Sequence, residues 1–272
     1  MWEQMMAFLK SWFIFPDLGL DLMLLGIGLA VIFGAIWLSS HWPPLFKKPW
    51  LWAVAVASAL LTLAAVVFVQ IPLQIWGGEA MLRIWPEQVL QDWFLLAGLP
   101  LVLLTGLVQE GAKMLPIVAW WWRGGRNIDP RMGLAIGAVA GAGFGIFEAV
   151  WVHNSMFSMG WTWQLVERGG YIMLAGFWER FFTIAVHIGM SALAGYGLAR
   201  GKGWQFYLIA AGLHTVLNYS AILLQKEVLT STQLEIYAAI LAVLVTAWAL
   251  WLRWWTTEEE PPGPVEPAEV EI

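Results

Sequence analysis

The chain has 272 residues, of which 60% are hydrophobic and 12% charged, with 21 tryptophans and a formal net charge of −5. A soluble domain carries about 25% charged residues, so the composition excludes one and points to a protein of the bilayer. There is no cysteine, which excludes disulfides, a thiolate nucleophile and any cysteine-ligated metal.

The opening stretch MWEQMMAFLKSWFIFP is aromatic, carries one lysine, and is too short to span; it has no small-residue cleavage site. Residues 1–17 are therefore expected to be an interfacial segment, with no signal peptide removed. Seven apolar windows follow, near 18–39, 50–70, 94–122, 132–154, 172–199, 203–224 and 233–253. Each can cross a hydrocarbon core of about 30 Å, which takes roughly 20 helical residues. Long unbroken apolar runs, rather than short alternating strands, predict helices that satisfy their own backbone. The expected fold class is all-α, a polytopic bundle of seven membrane-spanning helices over 18–254. The connections 71–93 and 155–171 carry GGE and RGG turn signals and read as short interfacial helices or caps. Residues 255–272, ending TTEEEPPGPVEPAEVEI, read as a disordered acidic, proline-rich tail that supplies much of the net charge.

Lysine and arginine set the expected threading. Alternate connections hold Lys47, Lys48, Arg123, Arg126, Arg131, Arg200, Lys202 and Arg253, eight in all, against Lys10, Arg83, Arg168 and Lys226, four, on the other side. This places the N-terminus outside and the C-terminus in the cytoplasm of a cell membrane. Tryptophans at 120–122, 151, 161, 163, 254 and 255 fall near span ends and read as belt residues.

A charge at the centre of a membrane helix costs about 2.5–3.5 kcal/mol, so each one retained there has a partner or a function. The third span has Glu110 and Lys113, the fourth Glu148, the fifth Glu179, Arg180 and His187, the sixth His214 and Asn218. The polar centre lies among these four, giving a core near 94–224. Glu110 and Lys113, three apart, share a helical face, either as a structural ion pair or with Lys113 holding Glu110 ionised as a base for water. Gly133, Gly137, Gly141 and Gly145 repeat every four residues and let another helix approach closely. Glu148, just beyond, can ligate a metal, share a proton with Glu110 or pair with Arg180. His214 and Asn218, one turn apart, can address one oxygen. His187 reads as a hydrogen-bond partner or a catalyst, His41 and His153 as interfacial or structural. Glu179 and Arg180 lie near the outer boundary, within reach of the headgroups.

The ordered set Gln109-Glu110-x-x-Lys113, Phe144-x-x-x-Glu148, His187 and His214-x-x-x-Asn218, spread over about residues 100–220, resembles the PrsW family of intramembrane proteases. That family is related to the CAAX prenyl proteases and other glutamic-type intramembrane proteases. The resemblance implies hydrolysis of peptide bonds in or near the membrane, with some members acting on anti-sigma factors. It implies Glu110, Lys113, Glu148, His187, His214 and Asn218 as catalytic residues. The first acidic position of the family motif is Gln109 here, which cannot ionise. With Glu110 as base, or Glu148 in its place, activity is expected to survive.

The expected mechanism has Glu110, with or without Glu148, deprotonating a water, while His187, His214 and Asn218 donate to the oxyanion. The alternative is a zinc site of Glu110, Glu148, His187 and His214, disfavoured by the lack of H-E-x-x-H. No other cofactor is expected. Expected partners are a membrane protein or peptide substrate and the bilayer, not nucleic acid, and oligomeric state is open. The rival class is a transporter with a Glu/His relay or a scaffold that binds partner helices. A protease requires these side chains to converge on one water-accessible cavity.

Overall fold

A computed structural model of the protein describes residues 1–124 and 126–255; the tail expected to be disordered lies, beyond Trp255, outside the described residues. Helix α1 (Trp2–Ser11) precedes the first span, α2 (Leu20–Ser39). The second span is α3 (Trp50–Ala65), a π turn (Val66–Gln70) and α4 (Ile71–Ile84) end to end. After the short α5 (Glu87–Asp92) come α6 (Phe94–Arg123) and α7 (Pro130–Ser158). Helix α8 (Trp163–Gly169) and a 3-10 turn (Tyr171–Leu174) lead into α9 (Ala175–Ala199), α10 (Gly203–Gln225) and α11 (Ser231–Trp255). Among the described residues, seven helices are long and apolar enough to cross a membrane, and there is no strand.

The helix of the second span does not end at residue 70. Pro72 has no N–H to offer the carbonyl four residues back, which would break a regular helix. The chain instead widens into the π turn and continues to Ile84. Gln70 and Gln74, the polar residues that mimic an exit in the sequence, face partners on α6.

Helices α7 and α9 form the centre of the bundle. An added Cβ at Gly137 would lie 2.0 Å from the Ser191 carbonyl oxygen, and one at Gly141 2.2 Å from that of His187. The glycine stripe thus presses one backbone onto the other at the level of His187. Helix α7 starts where Asp129 caps it, accepting from the Met132 N–H at 2.8 Å, with Pro130 at the first helical position. Helices α2 and α3 pack on α7, α10 and α11 on α9, and α6 lies between α3 and α10. The outer faces present exposed Leu24, Val31, Leu60 and Val243, as a lipid-facing surface must.

The first segment does more than lie at an interface. Met5 and Trp12 are buried with Leu63, Val67 and Phe144, and Trp12 stacks on Trp151 with centroids 4.7 Å apart. His153 Nδ1 donates to the Gly26 carbonyl oxygen at 3.1 Å, so its role is to hold α7 against α2.

Candidate active site

Four spans contribute to one buried cluster. On α6, Glu110 and Lys113 share the face turned towards α9 and α10, with side chains 1% and 0% exposed. The Lys113 ammonium donates to Glu110 Oε1 and lies 3.0 Å from His187 Nδ1. His214 Nδ1, from α10, lies 2.7 Å from the same Glu110 oxygen. Ser191, one turn beyond His187 on α9, reaches Glu110 Oε2 at 3.4 Å. The two imidazoles meet edge to face, 5.1 Å between centroids. Phe144 caps the group, 5.5 Å from the His187 ring and 5.6 Å from the Lys113 ammonium.

These contacts fix the His187 tautomer. An ammonium has only hydrogens to give, so Nδ1 of His187 accepts from Lys113. The ring proton then sits on Nε2, which faces Glu148 Oε2 at 3.3 Å. Glu148 is in turn held by Arg180 Nη1 at 2.8 Å. Arg180 makes two bonds to Glu179, and the Thr183 hydroxyl donates to the Glu179 carboxylate at 3.1 Å. Glu179 and Arg180, which read from the sequence as boundary residues, form the outer half of this polar chain. The Arg180 side chain is 13% exposed.

The cluster gathers five of the six residues singled out in the sequence. Glu110, Lys113, His187 and His214 are in contact, and Glu148 joins from the far side of the His187 ring. Asn218 is half-buried one turn along α10 and takes no part in these bonds. Ser191 was missed, although its spacing of four from His187 carried the signal. The cluster is enclosed: Glu110, Lys113, His187 and His214 are each at most 1% exposed.

Glu110, His187 and His214 each offer one ligand atom, and these atoms lie within 4.8 Å of one another. Two imidazoles and a carboxylate suit a divalent ion such as zinc. The donor set fits, on one condition: the Lys113 ammonium already engages Glu110 and His187, so it must leave them for an ion to bind. Glu148 stands outside this set, because its carboxylate is turned to Arg180 and to the opposite ring nitrogen.

A model of the PrsW family intramembrane metalloproteases matches residues 47–249. The chain belongs to that family. Comparison with curated proteins and with solved structures gives no match. The PrsW match runs from the start of the second span almost to the end of the seventh and contains the whole cluster, whereas α1 and α2 precede it. Membership, with seven apolar spans, makes this an integral multi-pass membrane protein of an intramembrane peptidase family.

On the second span and α6 lies a further set of polar side chains. Gln109 Nε2 donates to Gln70 Oε1 at 3.0 Å, and Gln70 Nε2 to Gln74 Oε1 at 3.4 Å. Gln74 Nε2 donates to the Leu101 carbonyl and to Thr105 Oγ1, each at 3.0 Å. Gln109 Oε1 is buried without a partner. In the sequence, the signal was a pair of glutamines four apart around Pro72 in an otherwise apolar run.

Proposed function

We propose that the chain hydrolyses peptide bonds of membrane-associated substrates with a water activated by Glu110, within a catalytic core near 94–224. The observation that carries this reading is the convergence of Lys113, His214 and Ser191 on one buried carboxylate. Glu110 Oε1 stays held by Lys113 and His214. Oε2, whose bond to Ser191 is long, takes a proton from water. The water oxygen bonds to the scissile carbonyl carbon, and the carbonyl electron pair moves onto its oxygen. Collapse breaks the C–N bond as Glu110 passes the proton to the leaving nitrogen.

Lys113 and Asn218 are the proposed donors to the developing oxyanion, a role in which one donor contributes about 2.7–4 kcal/mol. His187 has both nitrogens engaged, so its role is to position Lys113, with Glu148 and Arg180 holding its ring. If zinc is bound, Glu110, His187 and His214 would hold it, and it would supply Lewis-acid polarisation of the scissile carbonyl.

Glu110→Gln removes the base and keeps the shape. Comparing membrane proteomes of cells carrying the wild type or this variant, we expect peptide fragments that only the wild type produces. An identical set of fragments would end this reading. Cleavage by the purified protein is expected to persist in EDTA and phenanthroline; loss that zinc restores would move water activation to the metal.

A further inference from the structure

Resting on the proteolytic reading of Glu110, we propose that Gln74, Gln70 and Gln109, with Thr105, form the binding strip for the backbone of the substrate, a peptide segment in extended conformation. A peptide bond inside a membrane helix is shielded by its own hydrogen bonds. To be cut it must be unwound, and each backbone group left unpaired in lipid costs several kcal/mol. A protease working there has to offer partners beside its base.

The strip meets that need in position, chemistry and spacing. It ends at Gln109, adjacent to Glu110 in the chain, and runs outward along the seam between the second span and α6. Leu101, Thr105 and Gln109 are four apart on α6, as Gln70 and Gln74 are on the second span, a rise of about 6 Å per step. An extended chain presents like-facing groups about every 6.7 Å, so successive steps meet successive backbone groups. Primary amides both donate and accept, which matches N–H and C=O alike.

Gln109 Oε1 is buried and unpartnered. Exchanging its oxygen and nitrogen would leave a donor orphaned instead, so either way one amide atom lacks a partner that a peptide group can supply. The amides bond along the second span, Gln70 to Gln74, and across the seam, Gln109 to Gln70 and Gln74 to Thr105, and can trade those bonds for the peptide's at little net cost. At the outer end of the seam lies a cavity of about 370 Å³ lined by Met81, Leu96 and Pro100 among others. Pro100, lacking an N–H, leaves the Leu96 carbonyl without its helical donor there. The π turn, which sets Gln70 opposite Gln109, is the local distortion that completes the strip. On this reading Gln109 replaces the family's acid with a neutral group that binds peptide.

The test uses full-length Glu110→Gln protein in detergent micelles and fluorescence anisotropy of a labelled alanine/leucine peptide of about 25 residues, long enough to span, with a central Gly-Ser-Gly. A second peptide is N-methylated through that centre. Gln70→Leu, Gln74→Leu and Gln109→Leu are each expected to raise Kd roughly three- to tenfold, one lost hydrogen bond apiece. N-methylation should weaken binding to the intact strip and add nothing to the Gln70→Leu/Gln109→Leu double variant. Equal Kd across all variants, a Kd indifferent to N-methylation, or no binding to the intact strip would overturn the proposal. If the buried variants do not fold by circular dichroism, half-buried Gln74→Leu with the two peptides decides alone. Failure of the proteolytic reading shows separately, as cleavage that survives Glu110→Gln.

Discussion

Lys113 decides what Glu110 can do, since the pair is enclosed and the lysine also supplies the donor that His187 Nδ1 accepts. Removing one partner of a buried pair strands the other and typically costs about 3–5 kcal/mol, whereas removing both is often near neutral. Lys113→Met is therefore expected to lower the unfolding midpoint in detergent strongly, and Glu110→Gln/Lys113→Met to recover most of it; a double variant as unstable as the single would contradict the pairing. His41 offers a separate test. Burial, partly offset by its bond to the Trp37 carbonyl, pushes its pKa from 6.5 down to about 4. Between those values the unfolded chain binds a proton that the folded one refuses, so stability is lost as pH falls through that window. Melting followed from pH 7 to 4 should show this decline, and His41→Gln should flatten it.

Among the elements, the α7–α9 seam was the most legible in advance. Four glycines at strict spacing announced a close helix contact, and the middle two, Gly137 and Gly141, meet the Ser191 and His187 carbonyls. Gly141→Ala would set a methyl against backbone, which cannot give way as a side chain can. We expect a loss of about 1–3 kcal/mol, seen as a lower melting midpoint together with reduced cleavage, because His187 rides on the same turn. Glu110, Lys113, Glu148, His187 and His214 were visible because charge and imidazole stand out against apolar runs. Arg180 read both as a residue near the span end and as one of three possible partners for Glu148, 32 residues away in sequence, and the pairing with Glu148 is the one the structure shows. The second span was cut short for a similar reason: Pro72 and two glutamines look like a boundary unless α6 is known to lie opposite.

For the molecule as a whole, seven spans put the two ends of the bundle on opposite sides of the membrane. From the basic connections we expect the Trp255 end to be cytoplasmic. A fluorescent protein fused after the last residue should glow, as it matures in the cytoplasm, and an alkaline phosphatase at the same point should be inactive; the reverse pair of results would invert the topology. The sealed packing around Glu110 carries one more consequence. The Glu110 side chain is 1% exposed, so on the proposed reading helices have to part before water can stand beside it, and the resting protein would be latent, much as a zymogen is. Its safety catch is the tightness of its own interior, and only a guest that repays the cost of opening can release it.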